Sequence, residues 1–366
     1  MNMERAKTTK PAVKSTSKPY NAYLDVLKGF AIAMVVLGHS IQTSLPNGSY
    51  DDNILFRIIY SFHMPLFMFL SGAAAAYSLR PMNWKFLQRK FNMLVIPFFA
   101  WYVVSYFLGD AYKLTSFPTY IHKFIVSPDN GLWFLWILFL NFVALAVIKK
   151  LSGRIGLISY PLVWLAIFAV PTGQYGIGLV KWHLPFFAVG YLIFLYREAL
   201  ARYRRPVLYL CAISFPLLVA SWHRLYLPSV VTDLNVHLSA HHLATINIGD
   251  IITLNTYQLA SMVYLYLVPF AGIGFFYWLF QVRPNKYVYS FFGFLGIYTL
   301  DIYVSQMYFF RFAFGPTWLA ITTGFIFGLV GSLALGMFVL RRVPILSTIF
   351  LGGRAKVVVP RIKPLS

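Results

Sequence analysis

Residues 21–42 have the sequence NAYLDVLKGFAIAMVVLGHSIQ, an apolar run long enough to form one helix across a lipid bilayer. A hydrocarbon core about 30 Å thick needs roughly 20 such residues, and similar runs recur along the chain. The whole sequence is 59% hydrophobic and only 11% charged, with a mean hydropathy of +0.67. These values exclude an ordinary water-soluble protein and predict an all-α polytopic membrane helix bundle.

The apolar runs predict about ten transmembrane helices separated by short polar segments. Residues 1–20 are expected to form a disordered basic tail, residues 21–340 the membrane domain, and residues 341–366 a second basic tail. The fifth run is short and the eighth is long, so either can be tilted, broken or partly interfacial. The runs cover residues 23–44, 54–77, 91–110, 131–148, 157–171, 176–196, 206–222, 251–281, 287–310 and 316–340.

The distribution of Lys and Arg assigns the sides of the membrane. With ten helices, all but six of the 31 basic residues fall on one side, which is cytoplasmic because short cytoplasmic loops carry the excess. Both termini are then cytoplasmic. This topology explains the net charge of +21, and nucleic acid is not an expected partner because the basic residues do not form the face that a groove-binding protein presents. The six residues on the other side are Arg57, Lys113, Lys123, Lys181, Arg224 and Arg311.

The cysteine and histidine content argues against a metal site. A single cysteine, Cys211, excludes an intrachain disulfide and a cysteine-based metal site. The predicted outward loop 222–250 holds four histidines, but no cysteine or acidic residue completes the spacing of a zinc site, so a solvated or interfacial loop is preferred. These histidines are His223, His237, His241 and His242.

The first predicted helix places Lys28 and His39 on one face. Eleven steps of about 100° come within about 20° of three full turns, and they separate the two residues by about 16 Å along the axis. Ionisable groups at such depth are usually paired or functional. The alternatives are a snorkelling Lys28 that pairs with Asp25, and a His39 that is merely satisfied inside the bundle.

The second predicted helix contains SFHMPLFMFLSG, residues 61–72, with His63 at a depth similar to that of His39. Pro65 loosens the helix beside His63, whereas Ser71 and Gly72 permit close helix contact. The two histidines can therefore converge from neighbouring helices. The alternative is that His63 only satisfies a carbonyl group that the proline leaves free.

Three further positions carry candidate chemistry. Arg89 and Lys90 open the third helix, where they either anchor it or hold phosphate groups. Asp301 lies inside the ninth helix, where a structural ion pair is at least as plausible as catalysis.

At these residues the sequence resembles the acyltransferase family 3 membrane proteins over nearly the whole chain. The resemblance rests on Lys28 and His39 with their ten-residue gap and on the basic pair that precedes Pro97. It also rests on FHMPLFMFLSG, GLWFLWILFL, HLPFFAVGYLIF and TLDIYVSQ, the first of which looks most like the fucose 4-O-acetylase-like branch. Two positions depart from the family pattern: Met93 replaces a common second basic residue, and Gln306 stands where His is frequent.

The resemblance implies transfer of an acyl group, typically acetyl, from cytoplasmic acyl-CoA to a hydroxyl of an extracytoplasmic or lipid-linked saccharide. Lys28, Arg89 and Lys90 would hold the CoA phosphates, and acetyl-CoA would be a substrate, with no resident cofactor. His39 would act as general base or as transient acyl carrier, with His63 assisting. The implied location is the bacterial cytoplasmic (inner) membrane. Some relatives carry an esterase-like domain after the membrane part, and without one the chain would finish the transfer alone or with glycan-assembly partner proteins.

A transporter or exporter of a glycan or an acylated compound is the alternative function. Ten helices with polar residues inside the bilayer also fit a permease. The sequence has no obvious internal repeat, which argues against this alternative.

Overall fold

The computed structural model describes residues 22–77, 82–109, 113–128, 131–171, 175–223, 256–282 and 285–353. Most residues in these ranges are helical, and no strand occurs among them. The α-helices are α1 Ala22–Ser44, α2 Ile54–Tyr77, α3 Trp84–Leu108, α4 Phe117–Val126, α5 Trp133–Ile155, α6 Ser159–Phe168, α7 Ile177–Leu195, α8 Ala201–Ala220, α9 Thr256–Val282, α10 Lys286–Ile297, α11 Thr299–Phe309, α12 Thr317–Leu335 and α13 Pro344–Leu351.

Seven helical stretches in the described ranges are long and apolar enough to cross a membrane. Helices α10 and α11 form an eighth candidate, because together they pass the same test but are bent by 82° at Tyr298. The all-α membrane bundle predicted from the sequence is therefore confirmed. The exact number of crossings and the sides of the two termini stay predictions.

Two features explain why the structure has fewer membrane-length stretches than the ten predicted runs. The fourth and fifth runs form one helical stretch, Trp133–Phe168, which a short 3-10 turn interrupts at Gly156, with φ of 62°. Helix α6 after that turn has ten residues and is only about 15 Å long. Helix α8 begins with Arg202, Arg204 and Arg205, and these charges lower its hydropathy below that of the other spans.

The outer surface of the bundle is apolar, as a lipid environment requires. Ile213 and Leu217 on α8 are 69% and 72% exposed, and Val330 on α12 is 57% exposed. A belt of this kind would be unfavourable in water, because contiguous apolar surface is poorly tolerated on soluble proteins. Lipid is the solvent that matches it.

Helices α2 and α7 form the most extensive helix pair, and two glycines bring their backbones together. Gly72 of α2 lies against the carbonyl of Phe187, while Gly190 of α7 lies against the carbonyl of Phe69. A Cβ atom at either glycine would collide with the facing backbone. Small residues of this kind allow membrane helices to approach closely.

Helices α1 and α10 cross in the same way. Gly29 of α1 lies against the carbonyl of Phe292, and Gly296 of α10 lies against the carbonyl of Asp25. The reciprocal arrangement places α1, which carries Lys28, in backbone contact with the start of the bent pair.

One further helix lies in residues 341–353, the part of the C-terminal region that the structure describes. Helix α13 packs on α3, where the indole N–H of Trp101 donates a hydrogen bond of 3.1 Å to the carbonyl of Phe350. The apolar sequence PILSTIFL accounts for this helix within a segment that is otherwise basic. The predicted N-terminal tail, the last residues from 354 onward, and His237, His241 and His242 lie outside the described residues.

Candidate active site

A central cavity of about 430 Å³ lies where α1, α2, α3, α5 and the bent pair α10–α11 meet. This volume is within the range of small-molecule sites. The walls are mainly apolar and aromatic, with a few polar side chains. The lining residues that matter for its chemistry are Lys28, Met64, Phe67, Ser71, Phe86, Arg89, Lys90, Phe134, Phe142, Thr299 and Tyr303.

The cavity is elongated along the helix axes. On α2 the lining residues extend from Met64 to Ala75, and the eleven helical steps between them span about 16 Å. On α5 they extend from Phe134 to Phe142, about 12 Å. The cavity therefore connects two depths of the bundle rather than forming a round pocket.

One end of the cavity, the cationic end, carries Lys28, Arg89 and Lys90. The Nζ atom of Lys90 lies 4.0 Å from the centre of the Phe142 ring, and Lys28 lies 3.2 Å from Oδ1 of Asp25. Arg89 is exposed, and no carboxylate of the described residues forms an ion pair with it. Three cations with one nearby carboxylate make this end a favourable place for an anion.

The other end, the aromatic end, is formed by Phe67, Phe134 and Tyr303 with Met64. The Phe134 ring centre lies 5.6 Å from that of Phe67 and 5.5 Å from that of Tyr303. The backbone N–H of Phe134 donates a hydrogen bond of 3.2 Å to the Tyr303 hydroxyl oxygen. Since Phe134 is in the first turn of α5, its N–H has no partner within that helix.

His39 is half-buried and is oriented by its own helix and by α2. Its Nδ1 lies 3.3 Å from Oε1 of Gln42, and the hydroxyl of Tyr60 donates to the same oxygen at 3.0 Å. An amide oxygen only accepts hydrogen bonds, so Nδ1 of His39 is the donor. In the neutral ring, Nε2 then carries the lone pair, which is the requirement for a base or a nucleophile.

His63 and His183 have matching environments on the paired helices α2 and α7. In each, Nδ1 donates a hydrogen bond of 2.8 Å to the carbonyl four residues earlier, that of Ile59 or Leu179. The carbonyl without an intrahelical donor because of Pro65 is that of Ser61, so His63 does not serve the carbonyl that the sequence alternative proposed.

The three histidines form a cluster. His63 lies within electrostatic range of both His39 and His183, and the centre of the Tyr60 ring lies 4.6 Å from that of the His63 ring. The ring centres of His183 and Trp133 are 5.0 Å apart. We call His39, His63 and His183 the histidine cluster.

The structure thus divides the predicted site residues into two groups. Lys28, Arg89 and Lys90 line one cavity, whereas His39 and His63 lie together outside its lining. Met64, the neighbour of His63, forms part of the aromatic end. The α2 helix therefore links the two groups, and the aromatic end is the part of the cavity nearest to the histidine cluster along the chain.

Asp301 is fully buried and paired. Its carboxylate accepts hydrogen bonds of 2.7 Å from both Nε and Nη2 of Arg341, which is the structural ion pair considered from the sequence.

Gln306 is also buried, and its Oε1 has no hydrogen-bond partner among the described residues. The described part of the chain contains no cluster of three or more His, Cys, Asp or Glu suited to a metal ion.

Sequence reasoning did not single out Gln42, Tyr60 or Tyr303, and it passed over His183. A signal for His183 was present, because His183 precedes Pro185 by two residues as His63 precedes Pro65. Gln42 also stands one helical turn after His39. Tyr303 lies within TLDIYVSQ, but the sequence does not show that its partner is Phe134, which is 169 residues away.

A family model described as an acyltransferase domain matches residues 21–341. The nodulation protein NolL of Mesorhizobium japonicum is 25% identical over 173 residues, and NolL of Sinorhizobium fredii is 28% identical over 178 residues. Each alignment covers 46% of this chain, and the chain spans about half the length of the curated relatives it matches, 46% and 47%. No solved structure matches the chain significantly.

Proposed function

Because this chain belongs to the acyltransferase 3 family, whose model matches residues 21–341, we propose that it is a membrane O-acyltransferase. It takes an acyl group, which we expect to be acetyl, from cytoplasmic acyl-CoA and transfers it to a hydroxyl of an extracytoplasmic or lipid-linked saccharide. The protein acts in the bacterial cytoplasmic (inner) membrane, with glycan-assembly proteins as partners.

The central cavity is the observation that carries this proposal. Acyl-CoA has an anionic nucleotide at one end and a reactive thioester at the end of a flexible arm. Lys28, Arg89 and Lys90 at the cationic end match the phosphates, and the apolar walls over about 16 Å match the arm. The thioester then lies at the aromatic end, beside Met64 and the histidine cluster.

His39 is the general base in this mechanism. Gln42 accepts a hydrogen bond from Nδ1–H of His39, which leaves Nε2 unprotonated. Nε2 therefore takes the proton of the acceptor hydroxyl while the hydroxyl oxygen bonds to the thioester carbon. Collapse of the tetrahedral intermediate breaks the carbon–sulfur bond, and the CoA thiolate takes the proton from His39 as it leaves. His63, which neighbours His39 in the histidine cluster, assists His39 in this proton transfer.

The proposal is tested with membrane vesicles from the encoding strain, in which the chromosomal copy is deleted and each variant is supplied. Label from acetyl-CoA should enter the saccharide fraction with the natural sequence and fail to do so with His39→Ala at equal protein abundance. His122→Ala, a change at an exposed histidine of α4, is the matched control and should keep full activity.

Two results contradict the proposal. Full transfer of the label to the saccharide by His39→Ala would show that His39 is not the general base. Movement of saccharide across sealed vesicles without acetyl-CoA, and without label on the saccharide, would instead indicate the transporter.

A further inference from the structure

Tyr303 presents an unused hydrogen-bond donor at the aromatic end of the cavity. Its side chain is only 8% exposed and lines the cavity, and its oxygen accepts the N–H of Phe134. Within the described residues no group accepts the hydroxyl proton of Tyr303. Buried polar hydrogens are nearly always paired, so an unpaired one that faces a cavity indicates a ligand acceptor there.

The other polar residues of the cavity do not offer such a donor at this depth. Ser71 lies on α2 seven residues beyond Met64, about 10 Å nearer to the cationic end. Lys28, Arg89 and Lys90 are at the cationic end, and Thr299 donates its hydroxyl proton to the carbonyl of Gly296 at 2.7 Å. Thr299 also lies one turn nearer to the cationic end than Tyr303, because α11 starts there.

We propose that Tyr303 is a catalytic residue that donates a hydrogen bond to the carbonyl oxygen of the bound thioester. This inference rests on the proposed function, because it requires the thioester at the aromatic end. It assigns to Tyr303 the stabilisation of the oxyanion that forms during acyl transfer.

The electron flow of the reaction defines the role. When the acceptor oxygen bonds to the carbonyl carbon, the π electrons of the carbonyl move to its oxygen, where the hydroxyl of Tyr303 meets the new negative charge. When the carbonyl re-forms, the carbon–sulfur bond breaks and the thiolate takes the proton held by His39. Tyr303 keeps its own proton throughout, so it is neither oxidised nor consumed.

The first turn of α5 strengthens this donor. The Phe134 N–H points at the phenol oxygen, and the positive end of the helix dipole lies on the same side. A hydroxyl that accepts one hydrogen bond becomes a better donor of another. The bond to Phe134 also fixes the direction of the hydroxyl before substrate arrives.

Tyr303→Phe tests the proposal, because it keeps the ring contact with Phe134 and removes only the hydroxyl. The kcat for CoA release from acetyl-CoA should fall about 100- to 1,000-fold, as for loss of one oxyanion donor, with KM for acetyl-CoA within about threefold of the natural value. Binding of CoA, measured as a shift in thermal unfolding in detergent, should be retained. Tyr106→Phe is the control, since Tyr106 is equally buried but donates to Thr115 outside the cavity.

Each other result decides against the proposal in a different way. A Tyr303→Phe variant with natural kcat overturns the role of Tyr303 and leaves the proposed function intact. Parallel loss of CoA binding and rate overturns it in favour of a structural or binding role. If the natural sequence releases no CoA and transfers no label, the proposed function fails, and the role of Tyr303 fails with it.

Discussion

The carboxylate of Asp301 accepts two hydrogen bonds of 2.7 Å from the guanidinium of Arg341 inside the bundle. Asp301 follows the bend between α10 and α11, and Arg341 follows a π-helical turn, Gly336–Leu340, at the end of α12. A Cβ atom at Gly336 would crowd the carboxylate. The pair therefore fastens the bent span to the last long helix.

Loss of one partner of this pair should destabilise the protein severely. Asp301→Asn leaves the Arg341 guanidinium buried without its counter-charge, at an expected cost of about 3–5 kcal/mol. Thermal unfolding in detergent measures the effect. The double variant Asp301→Leu with Arg341→Met should recover most of the loss, because it leaves no buried charge. A double variant as unstable as the single one would contradict this explanation.

The α2–α7 crossing should not tolerate a side chain at Gly72. In Gly72→Val the new atoms meet the backbone of Phe187, and overpacking of this kind costs about 1–3 kcal/mol or more. Lower membrane abundance and a lower unfolding temperature are expected. Gly153→Ala on α5 is the control, since nothing lies within 4 Å of the added atom, and it should stabilise slightly. Equal behaviour of the two variants would show that the crossing is not tight.

The cationic end should determine affinity for the donor and not the rate of chemistry. Arg89→Ala and Lys28→Ala should each raise KM for acetyl-CoA about tenfold, as expected for loss of one charged hydrogen bond, with little change in kcat. Initial rates at varied acetyl-CoA give both constants. Lys150→Ala, at an exposed position of α5 outside the cavity, should leave KM unchanged. A lower kcat with unchanged KM at Arg89 would place the phosphates elsewhere.

Gln42 should act through the orientation of His39. Gln42→Leu removes the acceptor for Nδ1, so the lone pair is no longer directed through Nε2. We expect kcat to fall about 10- to 100-fold, a part of the roughly 100- to 10,000-fold contribution of a general base. Gln42→Glu keeps an acceptor oxygen and should restore much of the rate. Single-turnover rates with labelled acetyl-CoA compare the two. If Leu and Glu at this position behave alike, orientation by Gln42 has no part in the reaction.

The sequence predicted those features of the molecule that depend on residues close together in the chain. Membrane helices follow from runs of apolar residues, and the periodicity of one helix relates Lys28 to His39, so α1, α2 and the fold class were accessible from the sequence. The count of ten was less secure, because a positive φ at Gly156 and an 82° bend at Tyr298 depend on how helices pack and not on hydropathy.

The site required tertiary structure. The family resemblance grouped Lys28 with Arg89 as phosphate ligands, but the sequence did not show that packing brings them to one cavity. Tyr303 faces that cavity because α11 is turned by the bend before it, and its partner lies on α5, far away in the chain. His183 was accessible from its His-x-Pro sequence, whereas its proximity to His63 depends on the α2–α7 crossing.

The two glycine crossings have an energetic consequence for catalysis. They fix α1 against α10 and α2 against α7 at backbone distance, and these helices carry Lys28, His39, His63 and the approach to Tyr303. The conformational entropy needed to order these groups is thus lost when the chain folds, before any donor arrives. A preorganised site of this kind loses less of its binding energy to its own rearrangement, so more of it remains to hold and align the donor and the acceptor of the proposed reaction.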